Sequence, residues 1–219
     1  MAKNKIYLLL VVLVAVFAGA YFYSNKQNKP IRTLPYFEPK SFTKAKSTTH
    51  HTIPAFSFIN QNGQTVTEQD TKGKVYVCDF FFTTCQSICP KMSNQLERVY
   101  KEFKTRNDFL ILSHTVDPET DTAAQLKEYA DRHGVSDLRW LFLTGDKKHL
   151  YEIARKGYLL NAEEGDGGED DFIHTQNFAL IDKERCIRGF YDGTDSVEIT
   201  RLIKDIYLLF DEYAYKENN

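Results

Sequence analysis

The sequence predicts a single α/β domain in which helices flank a central mixed β-sheet. Apolar runs typical of strands alternate along the chain with segments whose apolar residues recur at helical spacing. The 219 residues also leave room for one domain with a substantial core once an N-terminal segment and a short tail are set aside. We place the domain at residues 53–212 and the tail at 213–219.

The first half of the domain predicts a hairpin, a strand and a helix. Residues 56–59 and 65–67 are expected to pair as a short hairpin that extends the sheet at the start of the domain. Residues 74–82 form a strongly apolar run of the kind found in a central strand covered on both faces. Pro90 suits the first position of the next helix, because a proline there loses no intrahelical hydrogen bond. One apolar face marks this helix: Met92, Leu96, Val99, Tyr100 and Phe103.

The same alternation continues to the C-terminus. The remaining elements are, in order, a strand at 109–115, a helix at 122–133 closed by Gly134, a strand at 140–144, a helix at about 147–156, a hairpin of 178–181 with 187–191, and an amphipathic helix at 196–210. A β-α-β-α unit followed by β-β-α, with two cysteines where the first helix begins, is the order of a thioredoxin-like fold.

The N-terminal segment predicts export of the domain. Lys3 and Lys5 precede an uncharged stretch at residues 6–23, which as a helix would cover roughly 27 Å and nearly span a bilayer core. Basic residues before the stretch predict that residues 1–5 stay in the cytoplasm and that the rest of the chain is exported. We favour a retained transmembrane anchor over a cleaved signal peptide, which the small residues at 18–20 would also allow.

Residues 24–52 predict a linker or an irregular arm, because they are polar and lack apolar periodicity. His50 and His51 at its end are expected to be solvated. The N-terminus lacks the Arg- and Ser-rich amphipathic pattern of a mitochondrial transit peptide. We therefore predict a single-pass protein of a bacterial inner membrane with its globular domain in the periplasm.

The chemistry of the domain is predicted from Cys85 and Cys89, in the segment F80-F-F-T-T-C-Q-S-I-C-P90. Helix N-termini stabilise thiolates, and thiolates bind soft metals or attack disulfides. The pair could therefore be a metal clip, a redox couple or, in an exported domain, a structural disulfide. Cys78 lies inside the predicted central strand and is expected to be a core residue, whereas Cys186, in the turn of the late hairpin, could be a free thiol.

A third ligand would favour a metal site. Two thiolates alone make a poor zinc site, whereas two thiolates with one imidazole favour Cu(I) and tolerate Cu(II). His174 is the best candidate, because it precedes the strand expected beside the N-terminal end of the first helix. His114, His133 and His149 lie in a strand or on or near helices and are expected to pack or to face solvent.

Charge narrows the class of partner. The formal charge of −2 leaves no broad basic surface, so no nucleic-acid partner is predicted. The acidic stretch at 163–171 is expected to be a solvated loop. The alternative is that it docks a basic partner surface or lets His174 move on and off a metal.

Three segments in register resemble the Sco (SenC) family of copper chaperones: T83-T-C-Q-S-I-C-P90, T115-V-D-P-E-T-D-T122 and H174-T-Q-N-F-A-L-I-D182. The likeness extends over about residues 53–209. It implies that Cys85, Cys89 and His174 bind copper. It also implies delivery of copper to, or thiol reduction of, the binuclear copper site in subunit II of cytochrome c oxidase.

We therefore predict a membrane-anchored copper metallochaperone whose reduced thiols hold copper and whose disulfide form does not. Asp117 could support the ligands from the adjoining loop. The expected partner is cytochrome c oxidase subunit II or another copper-site protein, and a thioredoxin-like reductant could serve the thiols. Two alternatives stay open: a thiol-disulfide oxidoreductase, against which the C-x-x-x-C spacing counts, and a copper or redox sensor. We favour a chaperone over an enzyme.

Overall fold

The computed structural model describes residues 7, 12–19, 32–39, 50–160 and 175–217. These ranges contain seven strands: β1 Ser57–Asn60, β2 Thr65–Thr67, β3 Val75–Phe81, β4 Phe109–Thr115, β5 Trp140–Thr144, β6 Asn177–Ile181 and β7 Ile187–Asp192. The helices of the domain are α1 Cys89–Phe103, α2 Ala123–Arg132, α3 Lys147–Glu152 and α4 Ser196–Glu217. A 3-10 turn at Glu68–Thr71 precedes β3, a π-helical turn at Ile153–Gly157 follows α3, and residues 12–19 are also helical.

The segment predicted to span a membrane, residues 6–23, is described only at residue 7 and at 12–19. None of the helices in the described part of the chain combines the length and the apolar character needed to cross a bilayer. The anchor therefore stays a prediction.

The sheet is mixed, with the strand order β2-β1-β5-β4-β3-β6-β7, so β4 is the central strand and β3 lies beside it, between β4 and β6. β3 pairs in parallel with β4 and antiparallel with β6, and all seven of its residues are buried. β4 and β5 are also parallel, whereas the hairpins β1-β2 and β6-β7 are antiparallel. This sheet and its flanking helices confirm the predicted thioredoxin-like α/β fold and its N-terminal hairpin extension.

The two faces of the sheet pack against different cores, because successive side chains of a strand point to opposite faces. On one face, Val75 and Phe81 of β3 pack with residues of α1, α2 and α4. On the other face, Tyr76 and Cys78 pack with residues of α3 and of the β1-β2 hairpin. Cys78 is thus the core residue that the sequence predicts. The predicted apolar face of α1 is buried against the first face of the sheet: Met92, Leu96, Val99, Tyr100 and Phe103.

Most helix boundaries follow local signals in the sequence. α2 begins after Thr122, whose hydroxyl accepts a hydrogen bond from the Gln125 N–H at 3.3 Å. The chain leaves this helix through Gly134, which has a positive φ of 68°. Pro90 is the second residue of α1 rather than the first, because the helix already begins at Cys89.

α3 and α4 end elsewhere than predicted. α3 is regular only to Glu152 and continues as the π-helical turn. α4 runs to Glu217, seven residues past its predicted end at Phe210. The extension stays helical because it still buries a side chain: Tyr213 is buried, and its hydroxyl accepts a hydrogen bond from the Lys183 N–H at 3.1 Å.

Part of the predicted linker packs on the domain as an irregular arm, residues 32–39. Leu34 is buried in the core beside α4, and its carbonyl accepts a hydrogen bond from Arg188 of β7 at 2.7 Å. The Arg188 guanidinium also pairs with Asp182 at 3.0 Å and with Glu212 at 2.9 Å. The arm is therefore held at the end of the sheet where β7 begins, which is opposite the end where β3 leads into α1.

The two adjacent histidines make contacts within the protein. His50 is exposed, but its Nδ1 lies 2.8 Å from Glu38 Oε1 and its ring stacks on Tyr36. His51 is half-buried rather than solvated, because its Nε2 lies 2.8 Å from the carbonyl oxygen of Gly157. The His51 backbone N–H also donates a hydrogen bond to Glu38 Oε2 at 2.9 Å, so both residues help to hold the arm.

Candidate metal centre

Cys85 and Cys89 lie at the carboxyl-terminal end of β3. The strand ends at Phe81 and α1 begins at Cys89, so Cys85 lies in the intervening loop, residues 82–88 (the thiol loop). The backbone N–H of Cys85 donates a hydrogen bond to the carbonyl of Phe82 at 3.3 Å, which closes a tight turn before the helix. The predicted order of strand, thiol loop and helix is confirmed.

Both cysteines are free thiols that interact directly. The Cys89 thiol donates a hydrogen bond to the Cys85 sulfur. The Cys85 Sγ also lies 3.5 Å from the Ser87 Oγ. Cys89 is only 4% exposed, whereas Cys85 is partly exposed at the surface. The pair is therefore reduced, with one accessible sulfur and one shielded sulfur.

The surroundings of the two thiols shift their pKa values in opposite directions. Partial burial works against the Cys85 thiolate, but hydrogen bonds from Cys89 and Ser87 outweigh it and lower the pKa of Cys85 to about 7. Burial raises the pKa of Cys89 to about 12, and its hydrogen bond to Cys85 adds to this shift. Cys85 is thus the thiol that reacts first near neutral pH.

The alkylation rate of Cys85 is expected to rise with pH and to reach half its maximum near pH 7, because only the thiolate attacks the reagent. The measurement is the rate of iodoacetamide labelling between pH 5 and 9, with the labelled residue identified by mass spectrometry. Cys89 should stay unlabelled across this range, because its thiol is shielded and its pKa is raised.

Two variants at position 89 form a matched control for this profile. Cys89→Ser keeps a hydroxyl donor beside Cys85, so its profile should stay close to that of the native protein. Cys89→Ala removes the donor, and the half-maximal pH should move towards about 8.5, the ordinary value of a free thiol. An unchanged profile in Cys89→Ala would show that the thiol-thiol hydrogen bond does not set the acidity of Cys85.

A buried carboxylate, Asp79, lies on the same face of β3 as the helix that carries Cys89. The Ser113 hydroxyl donates a hydrogen bond to it, and Trp140 Nε1 donates to the Ser113 oxygen at 2.9 Å. Burial raises the pKa of Asp79 to about 7. Its negative charge also contributes to the raised pKa of Cys89. Asp79 was not among the residues predicted from the sequence, although an acid within an otherwise apolar strand was the available signal.

Two aspartates of the segment after β4 have different surroundings. The Asp117 backbone N–H donates to the Thr115 hydroxyl at 2.9 Å, but within the described residues its carboxylate makes no hydrogen bond. Asp121 is fully buried and accepts hydrogen bonds from Thr83 of the thiol loop and from Thr115. The structure therefore joins the first two of the three segments singled out in the sequence, through Asp121, which the sequence analysis did not select.

His174, the predicted third ligand, lies outside the described residues, as does the acidic stretch at 163–171. His133 is half-buried, with its Nδ1 2.9 Å from Glu97 Oε1, and His149 is exposed. In the described part of the chain, no three His, Cys, Asp or Glu side chains are grouped so that they could hold a metal ion. Ligation by His174 therefore stays a prediction.

The remaining histidine and cysteines are packed residues. His114 is fully buried, its ring stacks on Phe80, and its Nδ1 lies 3.5 Å from the Cys78 Sγ. Burial lowers the pKa of His114 to about 3, so the ring is neutral. Cys186 is free, as predicted, but buried, and burial raises its pKa to about 12. None of these three groups belongs to the surface that carries Cys85.

The chain is similar to known proteins both in sequence and in the arrangement of its helices and strands. The chain matches the family model described as SCO1/SenC over residues 44–208. It is 33% identical over 163 residues to a protein of Bacillus subtilis named SCO1 protein homolog, and this alignment covers 74% of the chain and 84% of that protein.

Two solved structures extend the similarity to the fold. BsSco, described as a member of the Sco family of cytochrome c oxidase assembly proteins with a disulfide switch, is 32% identical with a TM-score of 0.62. The match covers 75% of this chain and 96% of that chain. ScoI of Arabidopsis thaliana, solved with copper bound, is 28% identical with a TM-score of 0.55, and the match covers 71% and 98%. By sequence and by fold, the chain belongs to the SCO1/SenC family.

Proposed function

We propose that this protein is a copper metallochaperone that binds one copper ion through Cys85, Cys89 and His174. The observation that carries the proposal is the pair of free thiols at the start of α1, which shift each other's pKa in opposite directions. The copper bound in the related ScoI supports copper as the metal. The description of BsSco as a member of a family of cytochrome c oxidase assembly proteins supports a role in the assembly of that enzyme.

The donor set fits copper better than zinc. Structural zinc sites use four ligands, whereas soft thiolates with an imidazole suit Cu(I) and tolerate Cu(II). Cys85 is already about half deprotonated near pH 7. Cys89 must release its proton when it becomes a ligand, so the affinity for copper should increase with pH.

Oxidation of the thiols would remove the ligands. In exchange with a partner's disulfide, the Cys85 thiolate attacks one partner sulfur and releases the other as a thiolate. Cys89, after losing its proton, then attacks Cys85 and releases the partner as a dithiol. A disulfide forms between Cys85 and Cys89, and the partner gains two electrons and two protons, one from Cys89 and one from the solvent that took up the proton of Cys85. No thiolate is left to hold copper.

The same pair supports a second candidate function, a thiol-disulfide oxidoreductase. The favouring observation is that an accessible thiol of low pKa stands beside a shielded thiol that could resolve a mixed disulfide. Metal-independent turnover with a disulfide substrate would favour this function over copper delivery. A sensor role would instead require a metal-dependent change in partner affinity without copper transfer.

We place this chemistry in the periplasm of a bacterium, with residues 6–23 as the membrane anchor and residues 53–212 as the working domain. Support for the anchor comes from the uncharged stretch and its preceding lysines. The proposed partners are cytochrome c oxidase subunit II or another copper-site protein, together with a thioredoxin-like reductant.

The full chain, purified in detergent and reduced, is expected to bind about one copper ion with sulfur and nitrogen ligands. Metal analysis and X-ray absorption measure these two properties. His174→Ala should lower the copper affinity by at least about tenfold, because it removes the nitrogen ligand. His149→Ala is the matched control and should leave the affinity unchanged, because His149 is exposed and lies on α3, which packs on the opposite face of the sheet from Cys85. Full affinity in His174→Ala would exclude the third ligand, and absence of copper in the native protein would favour the oxidoreductase.

A further inference from the structure

Asp121 joins the thiol loop to the segment that follows β4. Its carboxylate is fully buried. The Thr83 hydroxyl donates to Oδ1 at 2.5 Å and the Thr115 hydroxyl donates to Oδ2 at 2.5 Å. The Thr83 backbone N–H donates to both oxygens, at 3.3 and 3.2 Å. All of these donors are neutral.

A buried carboxylate without a cation is costly, because neutral donors only partly replace the water that it has lost. In the described residues, no Lys, Arg or His side chain forms an ion pair with Asp121. Consistent with this environment, burial raises the pKa of the Asp121 carboxyl. A polar threonine-aspartate cluster is therefore an unfavourable way to stabilise this part of the fold, which suggests a task other than stability.

Asp121 contacts the thiol loop at Thr83, which lies two residues before Cys85. Thr83 lies two residues after the end of β3. It is part of the turn that the hydrogen bond between the Cys85 N–H and the Phe82 carbonyl closes. Cys89 is fixed independently, because it is the buried first residue of α1. The position of Cys85 relative to Cys89 therefore depends on how the start of the thiol loop is held, and Asp121 accepts three of the hydrogen bonds that hold it there.

We propose that Asp121 is a positioning residue that holds the thiol loop so that the Cys85 and Cys89 sulfurs can share one metal ion. The inference deepens the proposed copper site and rests on it for the metal. The relative placement of the two thiols can also be tested without copper, through the reduction potential of the disulfide that they form. Glu119 provides a matched control, because it is an exposed acid of the same segment and, within the described residues, its carboxylate makes no hydrogen bond.

Copper affinity is the first readout. In the full chain, Asp121→Ala is expected to weaken Cu(I) binding about tenfold, measured by competition with a chromogenic chelator. Asp121→Asn should remain within about threefold of the native affinity, because its amide oxygen can still accept and the threonine hydroxyls can reorient. Glu119→Ala should leave the copper affinity unchanged.

The reduction potential of the Cys85–Cys89 disulfide is the second readout, and it needs no metal. Asp121→Ala should lower the effective concentration of one thiol at the other about tenfold. This change corresponds to a rise of about 30 mV in the potential measured against glutathione. If Asp121 only stabilised the fold, its substitution would lower the free energy of unfolding but would leave the reduction potential unchanged.

Substitutions of Thr83 keep the test available if Asp121→Ala does not fold. Thr83→Val removes the hydroxyl donor and should shift both readouts in the same direction, by about threefold in affinity. Thr83→Ser keeps the donor and should behave as the native protein. Native affinity and potential in folded Asp121→Ala, or in Thr83→Val if the former is unfolded, would overturn the proposal. A shifted potential in a protein that binds no copper would support the positioning role and contradict the chaperone.

Discussion

Cys85→Ser and Cys89→Ser are each expected to weaken copper binding by on the order of a thousandfold, equivalent to about 4 kcal/mol. A serine hydroxyl stays protonated at neutral pH and is a hard oxygen donor, whereas copper in this site is expected to need soft thiolates. With one thiolate removed, the remaining sulfur and one imidazole make an incomplete site. The measurement is competition with a chromogenic Cu(I) chelator, combined with metal analysis after gel filtration.

Cys186→Ala is the control for a general effect of losing a thiol. Cys186 is buried in the β6-β7 turn, far along the chain from the thiol loop, and its pKa is raised by burial. This variant should bind copper as the native protein does. Near-native affinity in either serine variant would show that the metal is held elsewhere. Equal losses in all three variants would indicate damage to the fold rather than loss of a ligand.

Arg188→Met is expected to lower the free energy of unfolding by about 3–5 kcal/mol, the typical effect of breaking a buried ion pair. The Arg188 side chain is 0% exposed and lies between Asp182 and Glu212. The substitution leaves two buried carboxylates without a cation and removes the hydrogen bond to the Leu34 carbonyl. Urea denaturation measures the loss, and limited proteolysis should show faster cleavage of the arm at residues 32–39.

The loss of unfolding free energy in Arg188→Met should depend on pH. Burial already raises the folded-state pKa of Asp182, and the Arg188 guanidinium works against this rise, so its removal should raise the pKa of Asp182 further above the unfolded value. A carboxyl with a raised folded pKa contributes most stability when it is protonated, and that contribution is lost as the pH rises through the folded pKa. The variant should therefore be closest to the native protein near pH 4 to 5 and furthest from it at pH 8.

Arg201→Met is the matched control, because Arg201 also pairs with two carboxylates but is 45% exposed. Exposed ion pairs contribute little, so the expected loss is at most about 1 kcal/mol. If both variants lost the same stability, the burial of the Arg188 cluster would not be the cause. If Arg188→Met retained native stability, the arm would be held by its apolar contacts alone.

The sequence was most informative where local pattern and local structure coincide. The predicted strands at 109–115 and 140–144 match β4 and β5, because a continuous apolar run suits a strand that is buried on both faces. The same holds for α2, whose start and end are marked by Thr122 and Gly134. α4 was harder, because the burial of Tyr213 depends on the β6-β7 turn and not on the helix itself.

The candidate site was predicted only in part. The spacing of Cys85 and Cys89 and their place before a helix marked them as reactive thiols, and in the structure the interaction with Cys89 helps to lower the pKa of Cys85. Asp79 and Asp121 were not selected, because the role of an acid depends on the groups that surround it in space. Asp121 and Thr83 are 38 residues apart in the chain, so no local pattern relates them.

The sequence by itself determined the α/β order of elements, the family and the pair of thiols, because these depend on periodicity, spacing and residue type within short segments. Only the tertiary structure decided which thiol is acidic, which carboxylate holds the thiol loop, and where the arm packs. Acidity depends on burial and on hydrogen bonds from neighbouring groups. The arm is held by contacts such as that between Arg188 and Leu34, which are 154 residues apart and meet only when the chain is folded.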